Sequence, residues 1–256
     1  MAMTSNCVKG FQWEGQPQGR FDKIAAKYDT YIAGDNPRAA VLIVHDLLGW
    51  TTTNVRLMAD HYAREAGVTV YVPDFFAGDV FDFSMEMMPF VAKHSRDIHD
   101  TDVFAVARAL RSEKKHDKVA AIGFCYGGWA ALRLGAAAEH HPADPAAAPD
   151  AETRPGRPLV DAVSVAHPSL VTKQDLDQLA VPLQVLAPEH DQAYTAELKQ
   201  HTIETVPRLG LPLDYLHFPG VEHGALMRGD PSKPGERDAL VRAKMAAVTF
   251  FQFHLS

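Results

Sequence analysis

Short apolar runs rich in β-branched residues alternate along this chain with longer segments of helical periodicity. The predicted strands are residues 41–45, 68–72, 119–123, 159–166, 183–187 and 213–218. The predicted helices are residues 54–66, 97–112, 127–138, 193–206 and 237–253. Such alternation is typical of an α/β fold, in which a mainly parallel sheet carries helices on both faces. Residues 21–33 are predicted to add one or two antiparallel strands at one edge.

The length allows one large domain or two small ones, and a single domain over residues 1–256 is favoured because the candidate catalytic residues described below come from loops spread between residues 125 and 223. The chain is 46% hydrophobic, which excludes a wholly disordered protein. Its net charge of −7 argues against a nucleic-acid partner, which requires a basic face. Residues 136–158, rich in proline and alanine, are interpreted as a surface loop rather than a linker between domains. The loop joins a helix end to a strand start, so it is predicted to lie away from the ligand-binding edge of the sheet.

The two cysteines, Cys7 and Cys125, are too few for a secreted disulfide framework. The N-terminus shows no signal peptide, and no apolar run approaches the roughly 20 residues that cross a bilayer. We therefore expect a cytoplasmic protein without a membrane partner, either a monomer or a homodimer.

The most specific local motif is G-F-C-Y-G-G at residues 123–128, between a predicted strand and a predicted helix. This is the setting of the nucleophile elbow, G-x-S-x-G, with cysteine in place of serine. The sharp turn requires small flanking residues, and the following helix N-terminus favours a thiolate. Cys125 is therefore the candidate nucleophile. The alternative is a buried structural cysteine in a glycine-rich turn.

A cysteine nucleophile requires a base, and the base requires an orienting acid. In the α/β-hydrolase fold these follow the nucleophile in the order acid, histidine, each after a late strand. Asp191 and His223 occupy such positions. Glu189 is a rival acid, Asp191 also suits a turn or helix cap, and His223 also suits a surface loop.

The loop after the first predicted parallel strand reads H-D-L-L-G-W at residues 45–50. In this fold that loop and the residue after the nucleophile donate the N–H groups of the oxyanion hole, here Leu47 and Tyr126. Asp46 is predicted to stand near Cys125, either as a turn-capping residue or in a catalytic role.

Residues 75–90, rich in phenylalanine and methionine, follow the second predicted parallel strand at the same edge. They are expected to form a mostly apolar wall for an acyl group, although core packing is the simpler explanation for most of them. The candidate substrate contacts are Phe75, Phe76, Trp50, Tyr194 and His167. For His167, a capping role in the H-P-S turn is equally compatible with the sequence.

The remaining histidines are assigned no function. His140 and His141 lie in the proline-rich loop, and the helical ones are predicted to be solvated: His61, His94, His99, His116, His201 and His254. No histidine pair has the spacing of a zinc site, and no P-loop or G-x-G-x-x-G motif occurs. We predict no metal and no organic cofactor.

Taken together, the motifs resemble the dienelactone hydrolase family of α/β-hydrolases, particularly the fungal-type carboxymethylenebutenolidase-like branch. The resemblance excludes residues 136–158 and rests on five segments: H-D-L-L-G-W, Y-V-P-D-F-F-A-G at 71–78, G-F-C-Y-G-G, E-H-D at 189–191 and G-V-E-H-G at 220–224.

The resemblance implies a triad of Cys125, His223 and Asp191, and a carboxylate that holds the resting cysteine, matching Asp46. That carboxylate is a glutamate in bacterial relatives. They also hold the substrate carboxylate with an arginine where this chain has Gly78, which leaves Arg228 as the remaining anion contact.

The function predicted from these residues is hydrolysis of a small lactone, ester or thioester through a Cys125 acyl-enzyme. One alternative is an isomerase or cyclase of secondary (polyketide) metabolism that uses the same thiol on an enone. Another is a catalytically inactive binding protein. A serine-type esterase is disfavoured because the chain contains no G-x-S-x-G.

Overall fold

The computed structural model describes residues 12–142, 156–230 and 232–256, so Cys7 lies outside the described residues. The strands there are β1 (Arg20–Ile24), β2 (Tyr28–Ala33), β3 (Ala39–Val44), β4 (Thr69–Pro73), β5 (Lys118–Phe124), β6 (Ala162–Ala166), β7 (Leu183–His190) and β8 (Leu213–Glu222). They form one sheet in the order β1-β2-β4-β3-β5-β6-β7-β8. Strands β3 to β8 are parallel, and β1 and β2 form an antiparallel edge, which confirms the predicted architecture.

The α-helices within the described residues are α1 (Thr53–Ala66), α2 (Met87–Lys93), α3 (Arg96–Ser112), α4 (Gly127–Leu134), α5 (Lys173–Asp177), α6 (Ala196–Arg208), α7 (Ala225–Arg228) and α8 (Pro234–Leu255). None of them is both long and apolar enough to cross a membrane. The long helices match the predicted ones, with ends shifted by a few residues. The short helices α2, α5 and α7 were not predicted, because segments of four to seven residues show too little periodicity.

Two hydrophobic cores lie on opposite faces of the sheet. Strand β3 shows how they divide, because Leu42 and Val44 join one core whereas Val41 and Ile43 join the other. The first core is completed by α3 and α4, and the second by α1 and α8. A strand buried on both faces reads as a continuous apolar run, which is why it was recognisable in the sequence.

Three histidines predicted to be solvated are buried instead. His94, His99 and His116 are each exposed by 6% or less. His94 Nδ1 and His99 Nε2 lie 2.9 Å apart at the junction of α2 and α3. The other nitrogen of each ring lies 3.0 Å from a carboxylate, Asp79 for His94 and Asp102 for His99. The prediction failed because a polar residue near a helix end carries no apolar signal, even where tertiary partners satisfy it.

The proline-rich segment joins α4 to β6, and its residues 143–155 lie outside the described part. At its start, Arg133 Nη2 donates to the His140 carbonyl at 2.8 Å. At its end, the Asp161 N–H donates to the Val119 carbonyl near the beginning of β5. Both described ends therefore lie at the edge where the parallel strands begin, opposite the edge at which Cys125 follows β5.

Candidate active site

The turn that carries Cys125 has the geometry of a nucleophile elbow. Strand β5 ends at Phe124, and α4 begins at Gly127. Cys125 adopts a φ of +49°, a left-handed conformation that side chains rarely adopt. A Cβ at Gly123 would lie 2.2 Å from the Gly127 carbonyl oxygen, and one at Gly127 would lie 2.1 Å from that of Val44. Gly123 is therefore required for the turn to close on itself, and Gly127 is required for the turn to pack against β3.

The structure brings Cys125, His223 and Asp191 into a continuous chain. Cys125 Sγ lies 3.1 Å from His223 Nε2, and His223 Nδ1 lies 2.9 Å from Asp191 Oδ1. The same Asp191 oxygen accepts from the N–H groups of Ala193 and Tyr194, at 2.9 and 3.0 Å. Burial raises the pKa of Asp191, but the hydrogen bond and charge of His223, with these two N–H groups, lower it overall. The carboxylate is thus held ionised beside the imidazole.

The ends of β7 and β8 deliver the acid and the base together. Asp191 directly follows β7, His223 directly follows β8, and the His223 N–H donates to the His190 carbonyl at 2.9 Å. The rival acid Glu189 is exposed, and its Oε2 accepts from the Gly220 N–H at 2.7 Å. Of the two carboxylates, only Asp191 reaches the imidazole.

Comparison with known proteins identifies the family. A model of the dienelactone hydrolase family matches residues 28–255. The chain belongs to the dienelactone hydrolase family. This chain is 28% identical over 256 residues to hydrolase pyvD of Aspergillus violaceofuscus. The match covers 97% of this chain and 96% of that protein. A carboxymethylenebutenolidase homologue of Mus musculus is 39% identical over 94 residues, which cover 35% of this chain and 38% of that protein.

Solved structures show the fold. The dienelactone hydrolase from Anabaena variabilis superposes with a TM-score of 0.66 at 14% identity, covering 94% of this chain and 99% of that one. Thermogutta terrifontis esterase 2, phosphorylated by paraoxon, gives a TM-score of 0.68 at 16% identity, covering 92% and 95%. These similarities confirm the predicted α/β-hydrolase fold.

In this member of the dienelactone hydrolase family, Asp46 contacts an arginine rather than the thiol. Asp46 Oδ2 lies 3.2 Å from Arg228 Nη1, and Oδ1 accepts from the Leu48 N–H at 2.9 Å. Both side chains of the ion pair are buried. The expected thiol-holding role of Asp46 is therefore not what this geometry shows. The same pair compensates the charge of Arg228, the residue expected to contact a substrate anion.

The aromatic residues expected to line the substrate pocket serve mainly in packing. Phe75 and Phe76 are 2% and 1% exposed, and Phe76 packs against Phe90, His94 and Tyr126. Each ring fills the core beneath the segment predicted to be a wall, so neither offers a free surface to a ligand.

Trp50 and Tyr194 also differ from the prediction. The Trp50 ring lies against Phe21 and under the guanidinium of Arg56. Tyr194 is buried, with its hydroxyl on Thr202, and acts on the site through its N–H bond to Asp191. The sequence motif located both residues near the correct strand ends but did not indicate which way their rings turn.

The backbone groups predicted for the oxyanion hole lie at adjacent strand ends. Leu47 follows β3, Tyr126 directly follows Cys125, and β3 pairs with β5. The Tyr126 hydroxyl donates to the His94 carbonyl at 2.6 Å. Its side chain is thus anchored at the junction of α2 and α3, while its main chain stays beside the thiol.

The His167 ring packs against the ring of His223, the histidine of the triad. The ring of His167 is fully buried, and its centroid lies 5.0 Å from that of His223 at an interplanar angle of 74°. Neither ring nitrogen has a hydrogen-bond partner among the described residues. Burial, followed by the charges of His223 and Arg228, lowers the pKa of His167 well below its ordinary value. The ring is therefore a neutral neighbour of His223.

The sequence analysis missed Ser169, two residues further along. Its Oγ lies 3.5 Å from Cys125 Sγ and 3.5 Å from His223 Nε2. The only local signal was its position in the turn after β6, at the edge of the sheet that carries the site. From that position the sequence analysis selected His167 as the candidate contact instead of Ser169.

A cavity of about 290 Å³ adjoins the Asp46–Arg228 pair. Its wall combines polar residues such as Thr51 and Asn54 with the apolar side chains of Phe83 and Met227. Phe83 belongs to the segment predicted to form an acyl wall, but Cys125 does not line this cavity.

Proposed function

We propose that this member of the dienelactone hydrolase family is a cysteine hydrolase that cleaves a small lactone, ester or thioester through an acyl-enzyme on Cys125. The observation that carries the proposal is the continuous contact from Sγ through the His223 imidazole to the Asp191 carboxylate, at 3.1 and 2.9 Å. A thiol, a base and an orienting acid at hydrogen-bond distance are the parts that nucleophilic acyl transfer requires.

In the acylation step, His223 Nε2 takes the proton of the Cys125 thiol, and the thiolate adds to the substrate carbonyl carbon. The N–H groups of Leu47 and Tyr126 stabilise the resulting oxyanion. The tetrahedral intermediate expels the alcohol or thiol, which takes the proton from His223. A thioester remains on Cys125. For a lactone, the leaving hydroxyl stays part of the acyl group.

In the deacylation step, His223 removes a proton from water, which adds to the thioester carbonyl. Collapse of the second intermediate releases a carboxylic acid and returns the thiolate to its imidazolium partner. Asp191 keeps Nδ1 protonated throughout, so that Nε2 always faces the reacting atoms.

The charge arrangement favours an acyl group without a free carboxylate. Arg228 is compensated by Asp46 in a buried pair, so a second anion there competes with an existing one. Gly78 stands where bacterial relatives of the family supply another arginine. Neutral esters and lactones are therefore the proposed substrate class.

The test is acylation by p-nitrophenyl acetate. We expect the wild-type protein to gain one acetyl group on the peptide containing Cys125, and Cys125→Ala to lose at least about 10³-fold in turnover. Cys7→Ala, which removes the other cysteine, serves as the matched control and should retain activity. Full activity in Cys125→Ala, or an acetyl group on Cys7 alone, would contradict the proposal.

Turnover in H₂¹⁸O separates hydrolysis from thiol-catalysed isomerisation or cyclisation. Hydrolysis places one solvent oxygen in the carboxylate of the product, whereas the other two reactions incorporate none. A product without the label would contradict the hydrolase proposal even if Cys125 proved to be the nucleophile.

A further inference from the structure

We propose that Ser169 is a further catalytic residue, whose hydroxyl stabilises the thiolate that forms when His223 takes the proton of Cys125. This inference rests on the proposed function, because it assigns a role at the same nucleophile. The starting observation is a triangle of three polar atoms: Sγ to Nε2 at 3.1 Å, Oγ to Sγ at 3.5 Å, and Oγ to Nε2 at 3.5 Å.

The hydroxyl suits both members of an ion pair. When the thiol proton moves from Sγ to Nε2, the sulfur becomes an acceptor and the imidazolium N–H becomes a donor. The Ser169 O–H then donates to the thiolate, while a lone pair of the same oxygen faces the Nε2–H. Hydrogen bonds to a charged partner are stronger than neutral ones, so the contact favours the charge-separated state.

Within the described residues, the polar contacts of Sγ are those to His223 and Ser169. The carboxylate predicted to hold the thiol, Asp46, is engaged with Arg228 instead. The group next to the sulfur is therefore a neutral donor, which stabilises a thiolate, whereas a carboxylate would oppose its formation.

The loop that carries Ser169 is built to hold it in place. Its N–H donates to the Cys125 carbonyl at 2.7 Å, so residues 125 and 169 meet through main chain and side chain. His167 and Leu170 both have positive φ, at 39° and 59°. Two left-handed residues without glycine cost free energy, and such strain persists where the surrounding structure enforces it.

An ion pair clamps the same loop from outside. Arg96 Nη1 donates to the Leu170 carbonyl at 2.7 Å, and its Nη2 lies 2.6 Å from Asp175 Oδ1. On the inner side, Gly128 lets the loop approach α4, since a Cβ there would lie 2.3 Å from Pro168 Cβ. A hydroxyl on a rigid loop, buried beside the sulfur, is arranged for stabilising charge without reorganisation.

The test measures the rate of alkylation of Cys125 by iodoacetamide between pH 5 and 9, read on the Cys125 peptide so that Cys7 does not interfere. We expect the midpoint of the profile to rise by about one pH unit or more in Ser169→Ala, which corresponds to about tenfold less thiolate below the midpoint. Ser169→Thr, which keeps the hydroxyl, should restore the wild-type profile. Ser164→Ala, which removes a β6 hydroxyl that donates to Gln184 of β7, is the matched control and should leave the profile unchanged.

Activity gives a second readout that a packing role would not produce. The deficit of Ser169→Ala in acylation should be about tenfold near pH 6 and should disappear near pH 9, where the thiol ionises without help. A loss that is equal at every pH, or an alkylation profile that overlays that of the wild type, would overturn the assignment. Alkylation needs no turnover, so this result is independent of the acyl-enzyme test of the proposed function.

Discussion

At the scale of single residues, two neighbouring carboxylates allow the acid of the triad to be tested. Asp191 bonds to His223, while Glu189, two residues earlier, faces outward and bonds to Gly220. We expect Asp191→Asn to lower kcat/KM by about 10³-fold or more, because the imidazole loses the group that fixes its tautomer. Glu189→Gln is the matched control and should stay within about twofold, as expected of a surface change. Equal losses in the two variants would contradict the assignment.

The Asp46–Arg228 pair predicts how the substrate preference can be changed. In Asp46→Asn the side chain keeps its size and its acceptor for the Leu48 N–H, but Arg228 loses the negative charge of Asp46 from its ion pair. We expect kcat/KM for a carboxylate-bearing ester to rise about tenfold relative to its neutral analogue.

The same variant should be less stable, because the buried ion pair between Asp46 and Arg228 is broken, and an anionic ligand should restore part of the loss. Thermal unfolding with and without a dicarboxylate measures this. A substrate ratio equal to that of the wild type would show that Arg228 does not face the acyl group.

At the scale of elements, the turn between β5 and α4 tolerates no added carbon at its centre. Gly127→Ala would place a methyl group 2.1 Å from the Val44 carbonyl oxygen, which belongs to a strand buried on both faces. We expect a loss of about 3 kcal/mol or more in unfolding free energy, measured by urea denaturation. Gly235→Ala in α8 meets no atom within 4 Å and should be neutral or stabilising by up to about 1 kcal/mol. A Gly127→Ala protein as stable as the wild type would show that the turn can relax.

The elements best predicted from the sequence are those whose burial is complete. Strands β3 and β5 are buried on both faces over almost their whole length, and they read as uninterrupted apolar runs. Cys125 was found because it directly follows β5, whereas Asp191 and His223 were found from their chain order after β7 and β8, and β8 is only partly buried. Ser169 and the Asp46–Arg228 pair depend on distances across the fold, which no local pattern encodes. The orientation of Trp50 likewise depends on its contact with Phe21, 29 positions away in the chain.

At the scale of the whole molecule, buried histidines predict how stability depends on pH. His45 and His167 are fully enclosed, and burial is the main cause that lowers the pKa of each. In the unfolded chain these groups bind protons below about pH 6.5, whereas in the folded chain they stay neutral until the pH is lower. The unfolded state therefore binds more protons in this window, and the folded state loses stability as the pH falls. Asp191 affects stability at a lower pH than the histidines do. Because its pKa is lowered in the folded protein, its contribution to stability is lost only below about pH 4.

We expect the unfolding free energy to fall between pH 6.5 and pH 5.5, by at most about 1.4 kcal/mol for each fully buried imidazole. Urea denaturation at pH 7.5, 6.5 and 5.5 measures the slope. His167→Asn removes one of the two imidazoles with a residue that suits its positive φ, and should flatten the slope by up to that amount. His217→Gln, at an exposed position, is the matched control and should leave the slope as it is. An unchanged slope in His167→Asn would mean that His167 carries a proton in the folded protein. Because the His167 ring packs against His223, a positive charge would then stand beside the triad histidine.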